Sequence, residues 1–303
     1  RRARRARMEH LWIILTIGAA ALQTLRLMQQ KRLRGVGLST VGATFARFLF
    51  AAPLALALLL VLVASGHPLV PVSESFAPYV LAGAVGQIFG TICTVALFSE
   101  RSFAVGSAFT KSETIQVAVF SALILGEPVA VAGWVAILLG TVGVVLLSFR
   151  PGGWAGVWNR SAALGLAGGA FFALSAVGYR GATLAVPSPD ALFRATLALA
   201  AVTGFQTLAM GGWLLWRDRA ELGRVARGWR ATAPVGVNSM LGSLLWFTAF
   251  ALMNAAYVRA LGQVELIFSV AASVLFFRER VTARELIGIG LLALAVVGVV
   301  SVA

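Results

Sequence analysis

The sequence predicts an all-α integral membrane protein: ten transmembrane helices forming two inverted five-helix repeats. Three observations predict it. Mean hydropathy is +0.90 with only 12% charged residues, outside the range of a soluble globular chain. Ten apolar runs, each near the ~20 residues that cross a bilayer, occupy most of the 303 residues. The last five runs also repeat the pattern of the first five. What remains fits short loops and small tails, with no room for a soluble catalytic domain.

The first helix is read at 10–29, behind a basic tail over 1–9 that holds Arg1, Arg2, Arg4, Arg5 and Arg7. Charge followed by an apolar run is also the mark of a signal peptide. Here no small-residue cleavage site follows, and Gln23, Thr24 and Arg26 do, so a retained helix is expected. The second helix, 38–64, carries Arg47 early. The third, 76–98, aligns Ala82, Gly86 and Gly90 in a small-residue stripe that lets helix backbones approach in lipid. The fourth, 104–125, holds Lys111 and Glu113. Leu125-Gly126-Glu127 leads into the fifth, 130–149, with a second stripe at Ala136, Gly140 and Gly143. The remaining helices are expected at 161–182, 189–216, 231–252, 257–277 and 284–302. These divide the chain into a first repeat, 10–150, and a second, 151–303.

An offset of 152 residues carries the third to fifth helices onto the eighth to tenth without a gap. Glu113 falls on Glu265, Ser121 on Ser273, Glu127 on Glu279, Gly90 on Gly242 and Phe98 on Phe250. In the second helix of each half, Phe45-Ala46-Arg47 matches Leu192-Phe193-Arg194 at an offset of 147. A repeat with an odd number of spans inserts its halves upside down relative to each other. Inverted repeats of this kind are typical of secondary transporters, which bind substrate near the membrane midplane.

Ionisable side chains at membrane depth are costly and mark a cavity or a partner. Glu113 and Glu265 are the principal candidates, with Lys111 beside them. Lys111 and Glu113 are two apart, so on one helix they point in different directions. The acids are expected to bind a substrate ammonium, to titrate as a coupled pair, or to pair structurally with Arg47 or Arg194. Glu127 and Glu279 begin helices, where a carboxylate complements the positive end of the dipole. A second polar set adds Gln87, Asn238, Ser239, Asn254 and Tyr257, with Tyr179 and Ser175 from the sixth helix. Beside Trp246 and Phe89, these would suit the polar end and apolar body of an amino acid.

Taken together, Leu125-Gly126-Glu127, Arg278-Glu279, Arg47, Arg194 and the five-plus-five duplication resemble the drug/metabolite transporter superfamily, in its ten-helix EamA-type exporter branch. The resemblance covers essentially the whole chain. It implies a basket of helices around a central cavity, in a bacterial inner membrane, exporting small metabolites by alternating access. Amino-acid exporters are the best-known members of similar architecture. Two departures stand out. Many members carry proline just after the positions of Glu113 and Glu265, where Thr114 and Leu266 stand here. The first helix also lacks the carboxylate of the small multidrug branch.

Other function classes find little support. There is no GxxxxGK[ST] loop for ATP and no GxSxG nucleophile motif, so no enzyme activity is expected. A membrane-embedded enzyme, whose acids and histidines would cluster at one interface, and a passive channel are the competing readings. His10 and His67 sit at helix ends and Cys93 stands alone, so neither a metal site nor a disulfide is expected, and no cofactor. The +14 charge invites a nucleic-acid reading, but its arginines lie in loops between spans and follow the positive-inside rule. They gather after odd-numbered helices, as at Lys31, Arg32, Arg34 and Arg217 to Arg230, which favours termini on the periplasmic side. The expected partners are a small-molecule substrate, the lipid bilayer and a coupled proton.

Overall fold

The computed structural model describes residues 10–33, 37–97, 109–148, 160–268, 270–271 and 282–303. Among them every regular element is a helix. In chain order these are α1 (Leu11–Leu33), α2 (Thr40–Ala64), α3 (Phe76–Leu97), α4 (Glu113–Leu125) and α5 (Val131–Ser148). They continue as α6 (Arg160–Leu184), α7 (Ala191–Arg217), α8 (Arg219–Arg227), α9 (Trp229–Leu252), α10 (Ala255–Gly262) and α11 (Ala283–Val302). Six of them, α2, α3, α6, α7, α9 and α11, are long and apolar enough to cross a membrane.

Local chemistry sets several ends. The Ser39 hydroxyl accepts the Gly42 N–H to cap α2, and the Asp190 carboxylate caps α7 through the Leu192 N–H at 2.8 Å. Thr282 and Glu285 close a reciprocal capping box on α11. Gly126 stops α4 at φ 65°, the left-handed conformation that glycine adopts without strain.

The chain divides into two compact units, each drawing on both sequence halves. One comprises Val85–Val177 and Met253–Ala303 with the first residues of the chain; the other comprises Ile14–Ala84 and Gly178–Leu252. In the first unit, α5 and α11 meet along the expected small-residue stripe. A β-carbon on Gly143 would stand 2.8 Å from the Gly288 carbonyl oxygen, and one on Gly140 would stand 3.1 Å from Ala295 Cβ. Only small residues permit that approach. Gly86 plays the same part between α3 and α6, where its β-carbon would lie 2.6 Å from the Phe171 carbonyl.

The second unit packs α2, α7 and α9 around Phe45, Leu59, Phe193, Leu199 and Phe247. Three of its arginines, Arg180 buried and Arg47 and Arg194 half-buried, donate to uncharged oxygens. Arg47 Nε donates to Ser239 Oγ at 2.8 Å. Arg180 Nη1 donates to the Phe250 carbonyl at 2.5 Å, and Arg194 Nη2 to the Ala251 carbonyl at 2.8 Å. Those two carbonyls belong to the last turn of α9, which has no helical partners for them, so the guanidinium groups complete the helix end and match its dipole. The same unit holds α8, a short amphipathic helix within what the sequence reads as a loop. Glu221 on α8 accepts from the Ser39 N–H (2.8 Å) and hydroxyl (2.7 Å), and from Arg224 Nε (2.6 Å). Burial pushes the Glu221 carboxyl up, but these donors outweigh it and hold the group below the usual carboxylate range.

Candidate functional site

The fourth and ninth spans, expected as continuous helices, are both interrupted. Residues 109–110 are helical, 111–112 form a turn, and α4 begins at Glu113. At the other place α10 ends at Gly262, 263–264 form a turn, and helix resumes at Glu265. The interruptions fall 152 residues apart, at the repeat offset. In each the backbone tightens to three-residue hydrogen bonds: Ser112 N–H to Phe109 O at 3.0 Å, and Val264 N–H to Leu261 O at 3.1 Å. Neither turn contains proline. Each is followed at once by a glutamate, placed where a helix N-terminus favours negative charge.

Two ion pairs join the interruptions. Lys111 Nζ lies 3.2 Å from Glu265 Oε1, and Arg259 Nη2 lies 2.5 Å from Glu113 Oε1. Each pair therefore links an acid of one sequence half to a base of the other. Glu113 also interacts electrostatically with Lys111 and Glu265, so the four groups form one neutral network. Neutralisation is what makes four charges tolerable at such a place. Gln263 Nε2 adds an uncharged link by donating to Thr114 Oγ1. Gly169 on α6 lets that helix lie against the first turn, since a β-carbon there would stand 3.0 Å from the Thr110 carbonyl. Gln116 Nε2 donates to Ser112 Oγ at 2.8 Å. The amide oxygens of Gln116 and Gln263 are buried and accept no hydrogen bond.

Of the residues singled out from sequence, Lys111, Glu113 and Glu265 come together here. Gln87 lies in the same unit and accepts from Ser175 Oγ at 3.4 Å. Tyr257 shares α10 with Arg259, but its hydroxyl accepts the Ala130 N–H at 3.3 Å, just ahead of α5. Asn254 caps α10 through the Ala256 N–H and donates to the Glu127 carbonyl at 3.1 Å. The other three belong to the second unit. Tyr179 packs on Phe247 at 4.3 Å, Trp246 stacks on Phe250 at 5.9 Å, and Asn238 donates to Gln29 Oε1 at 2.9 Å. The acids take Arg259 and Lys111 as partners, where Arg47 or Arg194 had been the expected structural alternative. Arg259 lies nearer the end of its expected span than the other ionisable residues; the signal for its part here is its place one helical turn before Gln263, the residue that the 152-residue offset aligns with Lys111.

Comparison with known proteins now adds to this geometry. One family model, described as the EamA-like transporter family, matches residues 10–149 and again residues 159–301. The chain belongs to the EamA-like transporter family. It is thus a multi-pass membrane transporter of small molecules, as the resemblance implied. A crystal structure of a protein 14% identical to this EamA-like transporter matches it with a TM-score of 0.67, over 96% of each chain. At that identity the likeness speaks for the fold alone. No curated protein matches the sequence significantly.

Proposed function

We propose that this EamA-like transporter is a secondary exporter of amino acids or similarly small zwitterions, working by alternating access without ATP. In this reading ten spans form two inverted five-helix repeats around a central cavity in a bacterial inner membrane. The observation that carries it is the crossed pair of salt bridges at two helix interruptions set at the repeat offset. Discontinuous helices with charged groups at the break are how secondary transporters present charge to a substrate at membrane depth.

The chemistry follows from the network's neutrality. Breaking the half-buried Lys111–Glu265 pair without replacement carries a cost, because its charges are left less well compensated at membrane depth. A zwitterion removes that cost. Its carboxylate takes over Lys111 Nζ and its ammonium takes over Glu265, while the amide oxygens of Gln116 and Gln263 can accept ammonium N–H groups. A substrate with only one of the two charges leaves a partner stranded. Glu265 is also the route for proton coupling in this reading.

Counterflow in ATP-free proteoliposomes, with a panel of amino acids, the corresponding amines and carboxylic acids, sugars and organic cations, tests the proposal. Exchange of amino acids, with the singly charged analogues failing, is the expected result. Strict dependence on ATP, or exchange confined to sugars or cations, overturns it.

A further inference from the structure

The end of α7, all of α8 and the start of α9 present a cationic, tryptophan-flanked face that holds none of the residues at the two helix interruptions. α8 is fixed by burying Glu221 and Val225 within its unit, and its remaining charge turns outward. Arg217, Arg219, Arg227 and Arg230 are exposed, and none of them has a carboxylate partner among the described residues. The acids nearby are already engaged: Asp218 lies 3.5 Å from Arg224, and Glu221 is paired with the same guanidinium. Trp216 is 81% exposed and Trp229 is 55% exposed, and Arg230 lies over the Trp229 ring at 5.6 Å.

We propose that this face binds the headgroups of anionic phospholipids. Three physical arguments support that occupant. Exposed tryptophans that flank apolar spans settle at the headgroup level, which sets the arginines at the depth of the lipid phosphates. Guanidinium groups match phosphate oxygens two at a time, a geometry that a merely solvated positive loop does not need. The anchor is rigid, because Glu221 is tied to the Ser39 N–H and hydroxyl, so the arginines are offered from a held helix rather than a free loop. A bound headgroup would also bear, through Glu221, on the start of α2.

Native mass spectrometry of the purified full chain provides the test, with phosphatidylglycerol and phosphatidylcholine of identical acyl chains as probes. Phosphatidylglycerol is expected to bind more tightly than phosphatidylcholine. Each single Arg→Gln change should weaken phosphatidylglycerol binding roughly fivefold, the equivalent of about 1 kcal/mol per surface charge. The quadruple variant Arg217→Gln, Arg219→Gln, Arg227→Gln, Arg230→Gln should lose roughly several hundredfold, as four additive surface charges imply, with phosphatidylcholine binding unchanged. If the quadruple variant does not fold, the double variant Arg227→Gln, Arg230→Gln carries the same test. Glycerol phosphate separates a lipid from a free phosphate and should not displace the lipid at equal concentration. Equal phosphatidylglycerol binding by the native chain and the folded variant overturns the proposal. So does failure to prefer phosphatidylglycerol, or displacement by glycerol phosphate.

Discussion

The two helix interruptions share a backbone and differ in their cation. Each is a tightened turn followed by a glutamate, at positions 152 residues apart. Glu113 is held by an arginine at 2.5 Å, with side-chain exposures of 12% for the acid and 23% for the base. Glu265 is held by a lysine at 3.2 Å, with exposures of 19% and 27%. The bases also stand in different places. Arg259 projects from the regular helix α10, a turn ahead of its interruption, whereas Lys111 is part of an interruption itself. A guanidinium on a rigid helix makes a strut; an ammonium on a flexible stem, in a turn that can rearrange, makes a contact that opens. On the proposed function, the difference would make Glu113–Arg259 the contact that holds the fold and Lys111–Glu265 the contact that meets the substrate.

The sharpest way to break that assignment is to remove the strut. Glu113→Gln removes the buried acid from its pair with Arg259, so stability in detergent should fall by about 3 kcal/mol. Transport per folded molecule should fall much less. Thermal unfolding followed by fluorescence, with counterflow normalised to folded protein, reads both quantities. A variant as stable as the native chain would show that Glu113 is no strut.

Glu265→Gln should do the reverse. It removes the group proposed to receive the ammonium, a charge-assisted contact of about 2–3 kcal/mol, so counterflow should drop by roughly 100-fold while stability changes by about 1 kcal/mol. Exchanging the charges, Lys111→Glu with Glu265→Lys, should recover part of the activity because the pair is restored with reversed polarity. If Glu265→Gln transports normally and Glu113→Gln does not, the two roles are interchanged.

The sequence made the apolar helices legible because a span must satisfy its own backbone and present apolar side chains over ~20 residues. The stripe at Gly140 and Gly143 was legible for a related reason, since close helix packing in lipid demands small residues. The acid pair Glu113 and Glu265 was found by the repeat offset. The interruptions beside them were not, because the turns at Lys111-Ser112 and Gln263-Val264 hold no proline. They are stabilised by ion pairs between segments about 150 residues apart, which no local pattern shows. α8 was missed for the opposite reason. Its nine residues are polar enough to read as loop, and contacts distant in sequence make them a packed helix: Glu221 on Ser39 across 182 positions, and Val225 in the core beside Leu38. Asn238, Trp246 and Tyr257 are polar or aromatic groups on apolar helices, and each has a partner away from the interruptions: Gln29, Phe250 and the Ala130 N–H.

Glu221 sharpens the comparison as a buried acid with no part in either interruption. Its folded-state carboxyl sits below the ordinary value, so its contribution is complete above about pH 4.3, the unfolded value, and is lost as pH falls through the lower folded one. Glu221→Gln should cost about 1–2 kcal/mol at neutral pH and remove this acid-side loss. Detergent unfolding midpoints between pH 3 and 7 check it. Counterflow at neutral pH should stay near the native rate, in contrast to Glu265→Gln.

The smallest expected effect falls on the uncharged link between the interruptions. Thr114 occupies the position where many related chains carry proline, and its hydroxyl accepts from Gln263 Nε2, the residue aligned with Lys111. Thr114→Val preserves the shape and removes the acceptor, which leaves one buried amide donor unsatisfied. The cost should be about 1 kcal/mol in stability and roughly a two- to fivefold loss of counterflow. Both ion pairs stay intact, so the loss should be equal for all transported amino acids, unlike the selective losses expected at Glu265. Thr114→Ser, which keeps the acceptor, should retain nearly native behaviour. If Thr114→Val and Thr114→Ser are equally impaired, the methyl group rather than the hydrogen bond matters, and the interruptions are joined by their charges alone.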